Sequence, residues 1–187
     1  MKKTFTILSM AALMVSAGCA KKPATAEAAT TQTAQVQNTQ TTTNSVVKTV
    51  PTSVKGADVL QTIAANYKGK VVLFDFWATW CPPCRKSMKL IDEIKPELEK
   101  KGCVFVYITG ESSPMNTWTE MIKGISGDHY RLTATQWDEM CKALNIPGIP
   151  VYLLMGKDGK KAYDNLSEGG YPGNEILKNN IEVALTK

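Results

Sequence analysis

The chain has 187 residues, 43% hydrophobic and 21% charged, close to soluble globular averages, which excludes collagenous, wholly disordered and polytopic membrane proteins. That length suits one ordinary domain. The net charge is +5, but Lys2, Lys3, Lys21, Lys22 and Lys48 against Glu27 supply most of it; residues 55–187 hold 17 basic and 16 acidic residues, so no nucleic-acid partner is expected.

Residues 1–18 have the layout of a signal peptide: Lys2 and Lys3, an apolar run Phe5–Val15 too short to span a bilayer, then Ser16, Ala17 and Gly18. Ala-Gly before Cys19 resembles a bacterial lipobox, although Ser16 stands where Leu is usual. Cleavage before Cys19 and its lipidation are expected, plain secretion being the alternative. Residues 19–55 then read as a lipidated start and a flexible tether, because residues 24–45 are nearly all Ala, Thr, Gln, Asn and Ser. The folded domain is assigned to residues 56–187, with its onset between about Val46 and Gly56.

Within the domain, Ala57–Tyr67 repeats apolar residues at helical spacing, with Gly69 as a stop. Val71–Trp77 is apolar except for Asp75 and reads as a strand buried on both faces. A helix is predicted over Pro82–Lys100, kinked at Pro96. Cys103–Thr109 is a second buried strand; Pro114–Lys123 and Thr135–Leu144 are helices, the latter capped by Thr135. Val151–Met155 and Lys160–Tyr163 form a hairpin across Lys157-Asp158-Gly159. Asn174–Ala184 closes the chain as a helix directed inward by Ile176, Leu177, Ile181 and Leu185. This order predicts an α/β domain with a central sheet covered by helices on both faces.

The chemistry concentrates at Trp80-Cys81-Pro82-Pro83-Cys84, where a buried strand gives way to a helix. Two cysteines three positions apart across a helix start can close a small disulfide. The first sulfur faces the helix N-terminus, where partial positive charge favours a thiolate. Cys81 is therefore expected to be the exposed nucleophile and Cys84 the more buried resolving thiol. Pro82 and Pro83 suit the first helical positions. A zinc half-site or an inert staple is the alternative for the pair.

The stretch from Val72 to Arg85 resembles the active-site segment of thioredoxin-like proteins, most closely the TlpA/ResA group of membrane-anchored thiol–disulfide oxidoreductases. Ile146-Pro147-Gly148-Ile149-Pro150-Val151 resembles that family's cis-proline loop, and Gly169-Gly170 also fits. The resemblance implies a thioredoxin-like fold with a mixed sheet and a Cys81/Cys84 dithiol. It makes Asp75 a buried proton relay for Cys84, though Val104–Ile108 lacks the lysine often found beside that acid; a structural pairing of Asp75 is the alternative. It implies a cis Pro150, with Ile149, Trp80 and Pro83 contacting substrate; an ordinary trans proline and simple packing of Trp80 are the alternatives. No cofactor and no metal are implied. The partners would be protein or peptide disulfides, for instance apocytochrome c thiols, and a membrane electron donor. The site would lie in the bacterial cell envelope, facing the periplasm or the exterior. A disulfide-forming oxidase or isomerase and a metal-handling lipoprotein are the rival readings.

The other side chains carry less. Residues 110–134 receive no chemistry, and His129 beside Tyr130 is expected to be structural. Cys103 and Cys141 read as buried free thiols, a disulfide between them being the alternative.

Overall fold

The computed structural model describes residues 44–187. The expected signal peptide, Cys19 and residues 20–43 of the tether lie outside the described residues. Six strands form one sheet in the order β1-β4-β3-β2-β5-β6. They are β1 (Ser45–Lys48), β2 (Val71–Phe76), β3 (Cys103–Gly110), β4 (Gly127–Leu132), β5 (Val151–Met155) and β6 (Lys161–Asp164). The first four in that spatial order run parallel, whereas β5 and β6 pair antiparallel, so the sheet is mixed.

Six helices complete the domain: α1 (Gly56–Ala64), α2 (Pro82–Ile91), α3 (Lys95–Lys100), α4 (Met115–Ile122), α5 (Ala134–Ala143) and α6 (Asn174–Thr186). Because side chains alternate along a strand, β2 feeds two cores at once. Val71 and Leu73 pack with Met88, Leu98, Trp118 and Ile181 on one side. Val72, Phe74 and Phe76 pack with Val59, Ile63 and Met140 on the other. Full burial of each such side chain contributes about 1.5–3 kcal/mol. This central strand is therefore a rigid base for whatever its C-terminal end presents.

Several elements differ from the sequence reading. Ser45–Lys48, inside the stretch 19–55 expected to be a tether, is a strand instead: β1, paired in parallel with β4. Lys48 Nζ lies 2.7 Å from Asp128 Oδ2, and the Tyr67 hydroxyl donates to the same oxygen at 2.6 Å. An open sheet edge recruits this strand; Val46 and Val47 stay exposed, so no apolar alternation announces it. Strand β4 is a further element beyond those expected: Gly-Asp-His-Tyr-Arg-Leu is too polar to read as a buried strand.

The helix predicted over Pro82–Lys100 is two helices. Pro96 sits in the first turn of α3 and has no N–H with which to continue α2. The cap of α5 is Thr133, whose hydroxyl accepts from the Gln136 N–H at 3.2 Å, in place of Thr135. In α6 the buried residues are Leu177, Ile181 and Ala184, while Ile176 faces solvent.

Helices α1 and α5 meet at Gly56. A Cβ there would lie 2.1 Å from Glu139 Cβ and 2.8 Å from the Met140 backbone nitrogen. Gly56→Ala is therefore expected to destabilise the domain by about 1–3 kcal/mol through overpacking. In urea the unfolding midpoint should fall while the slope is unchanged.

Candidate active site

Cys81 and Cys84 are joined by a disulfide at the start of α2. Cys81 is the N-cap, and its Sγ accepts the Cys84 N–H at 3.2 Å. Pro82 and Pro83 occupy the first helical positions and offer no N–H, so Cys84 supplies the first-turn amide that reaches this sulfur.

Cys81 was expected to be exposed, yet it is only 3% exposed, against 0% for Cys84. The cover comes partly from the loop before β5. The Ile149–Pro150 peptide bond is cis, and the Ile149 carbonyl oxygen lies 3.8 Å from Cys81 Sγ. The Pro150 carbonyl accepts the Gly170 N–H at 2.8 Å, which ties this loop to the chain after β6. Gly169 and Gly170 both have positive φ, 70° and 80°, which explains the glycine pair there.

Trp80 projects outward, 58% exposed, and its indole N–H donates to Ser112 Oγ at 3.2 Å. The Thr79 N–H donates to Ser113 Oγ at 3.0 Å, and Ser113 Oγ lies 2.7 Å from Thr109 Oγ1. The segment after β3, to which no chemistry was assigned, thus braces the residues leading into the dithiol. Pro83 is exposed beside it.

On the sheet face covered by α2 runs a row of polar residues that only the strand register reveals. Tyr107 of β3 and Tyr152 of β5 both pair with Asp75 of β2, and His129 of β4 pairs with Tyr107. Asp75 shares its sheet face with Leu73 and Trp77, the face covered by α2. It is 2% exposed, and neither carboxyl oxygen has a hydrogen-bond partner. Burial pushes its pKa up to about 8, with the nearby Lys95 charge pulling the other way.

Lys95 is the lysine that the strand sequence lacked. It arrives from α3, 2% exposed, and donates to the Tyr107 hydroxyl at 2.9 Å and to the Ser126 carbonyl. Desolvation lowers its own pKa. On the other flank, the Tyr152 hydroxyl donates to Ser87 Oγ at 2.8 Å, and Ser87 Oγ donates to the Cys84 carbonyl at 2.8 Å.

His129 ends this row, and Cys103 and Cys141 lie outside it. His129 is buried, stacked on Tyr107 with ring centroids 4.9 Å apart, and its Nε2 donates to the Ile125 carbonyl at 2.9 Å. Burial lowers its pKa to about 4, so it is neutral at neutral pH. Cys103 and Cys141 are free; Cys103 is buried and Cys141 half-buried, and burial raises their pKa values to about 12 and 11. Among the described residues no group of three or more His, Cys, Asp or Glu side chains is placed to hold a metal ion.

Lys95, Tyr107, Tyr152, Ser87 and Ser113 join this site without a motif in the sequence to mark them. Strand parity offered a signal for the tyrosines, since Tyr107 and Tyr152 interrupt apolar strands as Asp75 does. Lys95 offered none, because its burial depends on where the chain turns before Pro96.

A disulfide at a helix start, with a buried acid on the sheet face that helix covers and a cis-proline loop against it, defines a dithiol site on a thioredoxin-like fold. Residues 69–161 match the thioredoxin-like family and form a domain of that kind. It is 27% identical over 95 residues to the thiol-disulfide oxidoreductase ResA of Geobacillus thermodenitrificans, covering 51% of this chain and 53% of that relative. The chain thus spans about half the length of the curated relatives it matches. The thioredoxin domain of a thiol-disulfide oxidoreductase from Bacteroides vulgatus has the same fold, with a TM-score of 0.56 at 22% identity, over 65% of this chain and 83% of that one. A DsbE-type thiol:disulfide interchange protein from Chlorobium tepidum gives a TM-score of 0.53 at 22% identity, over 65% and 84%.

Proposed function

We propose that the protein is a thiol–disulfide oxidoreductase that reduces disulfides of extracytoplasmic proteins. The observation that carries this reading is the Cys81–Cys84 disulfide at the start of α2, with the unpartnered carboxyl of Asp75 on the sheet face beneath α2. In the reduced protein the Cys81 thiolate attacks one sulfur of a substrate disulfide. That S–S bond breaks, and the released substrate sulfur takes a proton. Cys84 then attacks Cys81 Sγ, freeing the second substrate thiol and closing the protein's own disulfide. Two electrons pass to the substrate, and a membrane electron donor returns them to the dithiol.

In its ionised form Asp75 takes the proton of Cys84 during the second attack; a carboxyl that titrates at about 8 passes between its two forms close to neutrality, as a proton relay requires. The Ile149 backbone beside Pro150 receives an extended substrate segment, with Trp80 and Pro83 at its margins. Lipidation of Cys19 would hold the domain at the envelope surface, facing the periplasm or the exterior. No helix among the described residues is long and apolar enough to cross a membrane.

Two measurements on the reduced chain test the reading. Alkylation mapped by mass is expected to label Cys81 at neutral pH much faster than Cys103 and Cys141, whose thiols burial keeps protonated. The reduction potential of the pair is expected near that of thioredoxin, about −270 mV. A value near the roughly −120 mV of a strong oxidant would reverse the direction assigned to the reaction.

A further inference from the structure

The exposed side of α2 carries a feature that dithiol chemistry alone does not need. Arg85 and Lys89 follow Cys81 at one and two helical turns, so nucleophile and cations lie along one side of the helix over roughly 12 Å. Both are exposed, as is Lys86, and among the described residues none of the three is in an ion pair. Since residues 55–187 are nearly neutral in sum, this stripe is a local concentration of charge.

Beside the stripe lies a cavity of about 250 Å³. Trp77, Met88, Met121 and Ile125 line it, with Arg85 and Lys89 also contributing. Trp77 is fully buried, and its indole N–H has no hydrogen-bond partner. Asp92, an exposed carboxylate, lies at the far end of the stripe and also lines the cavity; desolvation raises its pKa and the Lys95 charge lowers it.

We propose that this face of α2 and α4 docks an acidic segment of the partner protein, placing one apolar side chain in the cavity and carboxylates against Arg85 and Lys89. This rests on the dithiol reading and names the chemistry of its partner. The apolar walls favour a large aliphatic or aromatic side chain. The cations raise the encounter rate with an acidic flank and oppose a basic one, an effect that salt screens.

The test uses the full chain, reduced, with three disulfide peptides that differ only in the flank: Glu-Leu-Glu, Gln-Leu-Gln and Lys-Leu-Lys. At low salt the acidic peptide is expected to react about 10-fold faster than the basic one. The ratio should collapse toward one near 1 M salt, where the Debye length is about 3 Å. Charge reversal in Arg85→Glu with Lys89→Glu alters Cys81 reactivity toward every peptide, so the readout is the acidic-to-basic ratio, which should invert. Lys157→Glu, on the distant hairpin, should keep the wild-type ratio.

Gly124→Leu fills the cavity from its wall without strain, since a Cβ there meets only the Met121 carbonyl, at 3.7 Å. It should remove the advantage of Glu-Leu-Glu over Glu-Ala-Glu. Equal rates for the acidic and basic peptides, a ratio unmoved by the double reversal, or an equal shift in Lys157→Glu would overturn the proposal. A reduced chain that reacts with none of the peptides, the neutral one included, would overturn the dithiol reading as well.

Discussion

Cys84→Ser is expected to stop turnover while leaving the first attack intact, so that covalent adducts accumulate on Cys81. The geometry requires this asymmetry. Cys81 caps α2 and keeps the Cys84 amide near its sulfur whatever side chain residue 84 carries. Serine at that position cannot attack the mixed disulfide. Release then depends on free thiol from solution, which lacks the effective concentration of an intramolecular sulfur, and should slow by about 10³-fold or more. Intact-mass measurement after mixing with a peptide disulfide would show one adduct per chain, lost on adding dithiothreitol. The same experiment on Cys81→Ser should give no adduct at neutral pH, because Cys84 is fully buried and Cys103 and Cys141 are held protonated. Equal trapping in the two variants would remove the division of labour between the sulfurs.

Asp75→Asn is expected to change both stability and the resolving step, each with a distinct pH signature. The folded carboxyl titrates at about 8, whereas in an unfolded chain it titrates at about 4. Between those values the folded protein keeps a proton that the unfolded chain releases. Stability therefore falls as pH rises through this window, and above about pH 8 the whole penalty is in place. At about 1.4 kcal/mol per pH unit the penalty reaches up to about 6 kcal/mol.

The asparagine variant loses that slope. Plotted against pH, its stability relative to wild type should climb from pH 4 to pH 8 and then level off. A constant offset from the unpaired amide, about 1–3 kcal/mol, would leave the shape intact. Urea titrations across this range provide the check; parallel curves for the two proteins would mean that Asp75 does not titrate there. Resolution of a preformed Cys81 adduct should slow by about 10²-fold or more without the proton acceptor. Lys95→Met should move the titration of Asp75 further upward, because the Lys95 charge is what opposes the burial effect.

Much of this site was legible without coordinates because its parts are adjacent in the chain. Asp75, Trp80, Cys81, Pro83 and Cys84 lie on one strand–helix junction, where a continuous apolar run and two prolines signal the change of element. The Ile149–Pro150 loop was recognisable by resemblance, and the turn glycines mark it. Strand β4 and β1 were not legible. A parallel edge strand is recruited by open backbone groups on its neighbour, and its own side chains need not alternate. Cys81 is buried, not exposed, because part of its cover comes from a loop nearly 70 positions away.

The amino-acid sequence by itself determined where a disulfide-forming pair of sulfurs would sit and which acid would be buried on the neighbouring strand, since apolar periodicity, helix-start chemistry and one charged residue in a strand are local properties. Only the tertiary structure decided the company that acid keeps. Lys95 is turned inward by a helix break, and Tyr107 and Tyr152 reach the same row through register between strands distant in sequence. Neither the angle of a chain reversal nor a pairing register is written in any short segment; both arise when separate elements bury their faces together.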